Sequence, residues 1–374
     1  MKIKNILHTL LCSLMISISF TACSDSTSEE EEEEEIIATP VKYPIYILNE
    51  GNWGSNNAGI AMFHHPAEGV ITKDKYLEAN EMKMGDVANT LLEEDDNLYV
   101  LLNGSKYVAR LYLNTKERAR YTFPESEGAP RCMEVEGDYA YVTQYGGQVT
   151  KLNIKDMTKV DTFNKGDNLE GIVEKDGKLY VANSYKVDES GNFVYNNEVF
   201  VIDTQTMTLT NTITVVDNPT KMYKIDDKIY LISAGNYDNV PGALQVIDPK
   251  TGTSQMILND VTKITKGNDG LVYGVASITD WTTNPASYVY TFFTYNPKTG
   301  KVSQTSFLQN TPSSFSSVAI YLLEIDEETG FIYIGTTDYQ NTGTIYAFDK
   351  NGKLLHSFDS GGVNPSAMVF VELK

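Results

Sequence analysis

Seven short stretches of the chain mix aromatic rings with amides in a way that suits recognition. They read "NEGNWGSNNAG", "NGSKY", "QYGGQ", "NSYKVDESGNFVYNN", "SAGNYDNVPG", "SITDWTTNPASY" and "TTDYQNTG". They hold both tryptophans, Trp53 and Trp281, with Tyr107, Tyr145, Tyr185, Tyr237 and Tyr339, one of these rings to each stretch. Rigid rings offer large contact area at low entropic cost, and amides offer directional hydrogen bonds. Such a set binds a large, uncharged ligand with polar and apolar parts. Asn49, Asn103, Gln144 and Asn183 open four of these stretches, at the ends of short apolar runs, and are expected to point at the same mouth. Met84 and Asp86 of "MKMGDV" join them as candidates. The plainer alternative is that each ring packs against its own loop.

Residues for bond-breaking chemistry are not arranged for it. There is no G-x-S-x-G, no H-E-x-x-H and no phosphate-binding G-x-x-x-x-G-K. No histidine falls in the aromatic stretches, so a serine or cysteine nucleophile has no base there. His64 and His65 read as a turn, and neither they nor His356 gather the converging ligands a metal needs. "VDESGN" lacks the ligand alternation of a calcium loop. Cys132, in "APRCMEVE", sits among strand-like residues and reads as a buried structural thiol. Carboxylate pairs are plentiful enough that a paired-carboxylate hydrolase stays open on spacing alone. The expectation is a binding protein, with no catalytic residue, metal or cofactor.

A repeat must position these residues. One phrase, a polar turn followed by a short apolar-aromatic strand, recurs as "YPIYILNEGN", "DDNLYVLLNGS", "GDYAYVTQYGG", "DGKLYVANSYK", "DDKIYLISAGN", "NDGLVYGVASI" and "TGFIYIGTTDY". A second phrase follows each copy and ends in a tight turn, as in "VFVIDTQTMT" and "LQVIDPKTGT". In "DPKTG" and "NPKTG" proline presets φ and glycine supplies φ > 0. Two further strands complete each unit. The spacing suits a four-stranded propeller blade, and no stretch sustains a 3.6-residue apolar period. The predicted fold is all-β: a seven-bladed β-propeller over 43–374. The chain enters on a second strand and ends on a first strand. Residues 364–372 are therefore expected to pair with 43–49 and close the ring, leaving no open edge. On this topology the short charged turns share one face and the aromatic stretches share the other.

Residues 1–42 read differently. Lys2 and Lys4 precede the apolar run "ILHTLLCSLMISISF", which is shorter than the roughly 20 residues that span a bilayer. Small residues then lead to Cys23, so 1–22 reads as an export signal. Seven glutamates follow within 23–42, and their mutual repulsion extends that segment into a tether. The chain carries −20 in all; without the eight acids of the tether and the two lysines of the leader, −14 remains. A domain so acidic has no electrostatic footprint for nucleic acid. Beyond the leader and Cys23, Cys132 is a single thiol, which excludes an internal disulfide.

Two resemblances add to this. "FTAC" resembles the lipobox of bacterial lipoproteins, which implies cleavage before Cys23 and lipidation of it, and the glutamate run resembles the acidic export tag of Bacteroides-type surface lipoproteins. "DGKLYVAN…VFVIDTQT…NP" resembles the YncE-like, or YVTN, family of seven-bladed propellers over residues 43–374. With "YILNEGNWGSNNAGI" and the lipobox, the chain looks most like lipoprotein propellers of gut Bacteroides-type bacteria. One branch of these, the BtuG-type proteins, captures cobalamin at the cell surface and docks on a TonB-dependent outer-membrane transporter. The resemblance implies a corrinoid ligand, a transporter partner, and an outer-membrane location facing the exterior with the lipid as sole membrane contact. The matching motif is structural and does not fix the ligand. A glycan- or protein-binding propeller, and a lactonase- or dehydrogenase-like propeller enzyme, are the alternatives.

Overall fold

The computed structural model describes residues 43–371; the expected leader, lipidation at Cys23 and acidic tether lie outside them. Within them the chain forms seven antiparallel sheets, six of four strands and one of three, set as blades in a ring. Blades are numbered here from the one that holds the first strand. The inner strands of blades 2 to 7 are Ala88–Glu94, Pro130–Glu136, Asn168–Lys175, Pro219–Ile225, Val261–Lys266 and Ala319–Ile325, and that of blade 1 is Pro365–Phe370. The tyrosine phrases are the second strands, among them Ile45–Asn49, Asn97–Leu102 and Ile332–Thr337. These are buried along their whole length. A neighbouring blade covers each of their faces, which is why they read as apolar runs and not as alternating strands. Outer strands such as Thr158–Asn164 are mostly exposed and polar.

The hydrophobic core is a set of slabs between blades. Between blades 3 and 4, for example, Tyr141 and Val149 meet Leu179, Val181, Phe200 and Ile202. Asn-Pro pairs staple blade to blade. Asn218 and Asn364 both take the left-handed backbone that asparagine tolerates, with φ 59 in each. Each amide oxygen then accepts a hydroxyl from the preceding blade: Ser184 donates to Asn218 at 2.6 Å, and Thr337 to Asn364 at 2.8 Å.

Closure is as the sequence predicts. Pro365–Phe370 pairs antiparallel with Ile45–Asn49, with Ile45 opposite Phe370 and Leu48 opposite Ala367. The Val371 N–H donates to the Pro44 carbonyl at 3.1 Å, and the Tyr43 hydroxyl to Asp326 at 2.8 Å. Rings fill the seam, where Tyr333 stands 6.0 Å from Phe63 and 5.7 Å from Phe370.

Blade 1 departs from the four-strand pattern. In place of an outer strand it has one bridge, Met62 to Thr72. The chain then enters a short helix, Lys75–Asn80, whose Asp74 cap accepts the Leu77 N–H. Tyr76 on that helix is buried between blades 1 and 2, and its hydroxyl donates to Glu117 at 2.7 Å. Six residues are fewer than two turns, too few to register as a helical period in the sequence.

Deleting residues 365–374 removes the inner strand of blade 1 and bares the slabs on both its sides. The shortened chain is expected to lose its cooperative thermal transition by circular dichroism; an unchanged melt would refute closure as the element that holds the ring.

Candidate ligand-binding face

Every blade breaks register at the same level. Pairing between first and second strand slips at Ala88/Thr90, Pro130/Met133, Leu169/Ile172, Pro219/Lys221, Val261/Lys263 and Ile320/Leu322, and in blade 1 at Leu48/Asn49. A bulge frees a residue from the ladder and re-aims its neighbours. Here the slips lie near the upper end of the inner strands and release a ring of side chains into the channel. At this level Asn89, Cys132, Gly171, Lys221, Lys263, Tyr321 and Ser366, one per blade, border a cavity of about 530 Å³.

Above it, on the face of the aromatic stretches, a second concavity of about 450 Å³ opens over blades 5 to 7. Trp281, Tyr237 and Tyr339 border it, with Tyr288, Tyr290 and Tyr321. Trp281 and Tyr237 are 74% and 77% exposed, and Tyr339 44%. Tyr288 and Tyr290 stack with centroids 5.8 Å apart. The Tyr290 hydroxyl donates to the Val318 carbonyl and accepts the Ile320 N–H, both at 2.9 Å, which locks that wall. An arc of rings leads into the cup: Tyr145 to Tyr185 at 6.1 Å, Tyr185 to Phe193 at 5.4 Å, Phe193 to Tyr195 at 6.4 Å, and Tyr195 to Tyr237 at 5.6 Å.

Tyr237 and Tyr339 also share an uncommon backbone, with φ 58 and φ 65. For a bulky side chain the left-handed region costs about 1–2 kcal/mol. Asx turns hold both in place. The Asn236 side-chain oxygen accepts the N–H groups of Asp238, Asn239 and Val240, and the Asp338 carboxylate accepts those of Gln340 and Asn341. Strain that presents an exposed ring to a concavity is the kind found at ligand clamps.

The remaining sequence candidates divide. Asn49, Asn103, Gln144 and Asn183 are buried and tie the scaffold. Their amides donate to the Ser360, Pro130 and Gly128 carbonyls and to Glu198, at 2.9, 2.9, 3.1 and 3.1 Å respectively. Met84 and Tyr107 lie in the slab between blades 1 and 2, where the Tyr107 hydroxyl donates to the Met84 carbonyl at 2.6 Å and Arg120 covers its ring. These six therefore face protein and not the mouth. Asp86 accepts the Gly54 N–H at 2.7 Å and fixes the loop that carries Trp53. Trp53 is 73% exposed on that loop, outside the cup. Tyr145 is half-buried, donating to Glu170 at 3.2 Å, and Tyr185 is half-buried in the arc. The sequence candidates omitted Phe193, Tyr195, Tyr288, Tyr290 and Tyr321. The alternation in "YVYTFF" marks Tyr288 and Tyr290 as same-face residues of a strand. The stretches 184–198 and 277–290 are mostly strand: they extend the paired strands Lys178–Val187 with Phe193–Asp203, and Val272–Asp280 with Ser287–Asn296. The His356 ring lies 6.4 Å from that of His65.

The channel is electrically graded. At its mouth Arg131 pairs with Glu170 at 3.1 Å, and the Tyr321 hydroxyl donates to Glu50 at 2.5 Å. Burial raises the Glu50 carboxyl above its ordinary value, against the Tyr321 hydrogen bond. Lower down, Glu134 and Glu324 face Lys224, Tyr223 and Leu323, and burial pushes both carboxyls up to about 7. The Cys132 thiol in the same wall is pushed up to about 12 by burial, far from a thiolate nucleophile.

No family model matches the chain, and no curated protein matches it. Solved structures do. Hydrazine synthase of Kuenenia stuttgartiensis aligns with a TM-score of 0.52 at 17% identity, over 68% of this chain and 74% of its own. Streptogramin B lyase aligns with a TM-score of 0.52 at 13% identity, over 73% and 81%. The computationally designed Ika8 protein aligns with a TM-score of 0.53 at 13% identity, over 88% and 91%. At such identities the likeness is one of fold, and enzymes and a designed scaffold share it.

Two outcomes are expected. Tyr237→Gly removes a strained backbone and little packing, so it is expected to leave the melting temperature unchanged or raise it by the equivalent of about 1 kcal/mol; a clear loss would mean the ring is structural. Glu324 is protonated in the fold at pH values where the unfolded chain has lost its proton. Its contribution therefore falls as pH rises from the unfolded value toward about 7 and stays low above that. Glu324→Gln keeps the acceptor for the Thr265 hydroxyl, 3.0 Å away. The variant is expected to match wild type near pH 5 and exceed it near pH 8 by on the order of 1–3 kcal/mol, read from denaturant melts at both pH values.

Proposed function

We propose that this protein is a non-catalytic capture propeller that holds a partly apolar ligand in the cup of Trp281, Tyr237 and Tyr339. The observation that carries this is the convergence of exposed rings, two of them on strained backbone, around one concavity. A cup of about 450 Å³ falls in the size range of small-molecule sites. A preformed wall such as the Tyr288–Tyr290 stack needs little ordering on binding.

The ligand proposed is a corrinoid such as cobalamin, the class implied by the YncE-like and BtuG-type resemblance. A corrinoid is broader than the cup and would lie across the face, with one edge in the cup and the rest over the arc from Tyr145 to Tyr195. The proposal also takes Cys23 as lipid-anchored and the propeller as facing the cell exterior. Release then falls to a TonB-dependent transporter pressed over the same mouth. The two extended hairpins support such a partner, because they expose Val187, Phe193 and Val194 on one and Ile278, Trp281 and Val289 on the other. Apolar side chains gathered on one face mark an interaction surface.

Calorimetric titration of cyanocobalamin into residues 36–374 tests this. Saturable one-to-one heat is expected, weakened about tenfold or more by Trp281→Ala with Tyr237→Ala, and less affected by Trp53→Ala. No heat and no spectral shift would remove the corrinoid and leave a glycan or protein ligand to be sought on the same face.

A further inference from the structure

The floor of the cup carries charge that its rings do not explain. Lys221 and Lys263 occupy the same place in blades 5 and 6, each the residue at which pairing resumes after the bulge. With Tyr321 they border both the cup and the channel cavity, so they stand where the two spaces join. Neither lysine forms an ion pair with any described residue. The next lysines down the same two strands differ sharply. Lys224 has Glu134 at 3.4 Å and Glu136 at 3.3 Å, and Lys266 has Asp226 at 3.2 Å and Glu327 at 3.1 Å. In a chain with 50 acids and 30 bases, carboxylates are not scarce.

The acids whose charge reaches Lys263, Glu50 and Glu324, are each engaged elsewhere: Glu50 accepts the Tyr321 hydroxyl and Glu324 accepts the Thr265 hydroxyl. Lys263 lies 4.8 Å from the centroid of the Tyr321 ring, which steadies its charge without neutralising it. Burial, and then the Lys221 ammonium beside it, hold Lys263 well below the ordinary lysine value. Two like charges held close in a half-enclosed space disfavour each other, and an anion between them reverses the sign of that interaction.

We propose that Lys221 and Lys263 form an anion-binding subsite at the floor of the cup, taking a carboxylate or phosphate on a ligand whose flat apolar part lies against Trp281, Tyr237 and Tyr339. This rests on the cup being the ligand site and amends the expectation of an uncharged ligand. Charge-assisted hydrogen bonds from two ammonium groups are strong and select for the anion, while the rings select for the body that carries it.

Three probes share one aromatic body: naphthyl phosphate, naphthoate and naphthol. Titrated by fluorescence at matched ionic strength, at least one anionic probe is expected to bind about tenfold or more tighter than naphthol; comparing the two anions shows which head group is preferred. The preference should vanish in Lys221→Met with Lys263→Met, a variant expected to melt no lower than wild type. Trp281→Ala should weaken all three probes by a common factor. In a separate arm, inorganic phosphate is expected to raise the melting temperature, relative to chloride at equal ionic strength, in wild type and in Trp281→Ala but not in the double lysine variant. Naphthol binding as tightly as both anions, or a preference that survives the double variant, would overturn the subsite and leave the cup standing. Phosphate stabilisation without binding of any naphthyl probe would sustain the subsite and overturn the cup. No binding and no stabilisation would overturn both.

Discussion

The whole ring depends on one strand pairing, that of Pro365–Phe370 with Ile45–Asn49. A propeller has no central core. Its apolar surface is buried in slabs, and each slab needs two blades. Without the pairing, blade 1 loses its inner strand and the slabs on either side of it lose a wall. The Ser366 hydroxyl and the Leu48 carbonyl meet across 318 residues of sequence, yet this span is not prohibitive. Loop-closure cost grows only with the logarithm of length, about 0.6 kcal/mol per doubling. The seam is reinforced by rings, Phe63, Tyr333 and Phe370, that are larger than an aliphatic slab would need.

A closed ring fixes the inner strands around a shared axis, and their common bulge then decides what the channel presents. Above the bulge the channel opens into rings and unpaired ammonium groups; below it, carboxylates and Lys224 face one another. The carboxyls of Glu134 and Glu324 show how costly charge is at that depth, since burial is the main cause that moves them toward neutrality. The mouth is different because water reaches it. Lys221 is exposed to water there, while Lys263 is half-buried, and burial with the Lys221 ammonium beside it holds Lys263 below the ordinary lysine value, a cost that an anionic ligand relieves. Depth along one axis thus separates a polar plug from a recognition surface.

The blades were legible in the sequence because their signals are local. Tyr99, Tyr180 and Tyr333 lie in runs whose length and turns identify a strand without knowledge of the neighbours. The face was legible too, since topology alone sends Trp281, Tyr237 and Tyr339 to one side. The identity of the cup was not. Asn103 and Gln144 carry the same amide chemistry as a ligand contact, and only the position of the Pro130 and Gly128 carbonyls shows that they serve the scaffold. Tyr107 looked like a loop ring and is a slab ring, because the helix Lys75–Asn80 brings Tyr76 and Met84 against it. Lys221 and Lys263 gave no signal at all. Their proximity arises from equal bulges in two blades, a long-range coincidence that no window of sequence contains.

The bulge has an evolutionary consequence. Residues at or beside the slip, among them Asn89, Lys221, Lys263 and Tyr321, border the channel cavity. Substituting one of them changes what the channel displays while leaving blade packing untouched, so neutral drift at that layer is cheap. Seven blades contribute to it, and each can vary independently of the others. A lineage built on this scaffold can therefore change its ligand by point substitutions within a single stratum of the molecule. Paralogues with superimposable backbones would then differ most at the positions of Lys221, Lys263 and Tyr321.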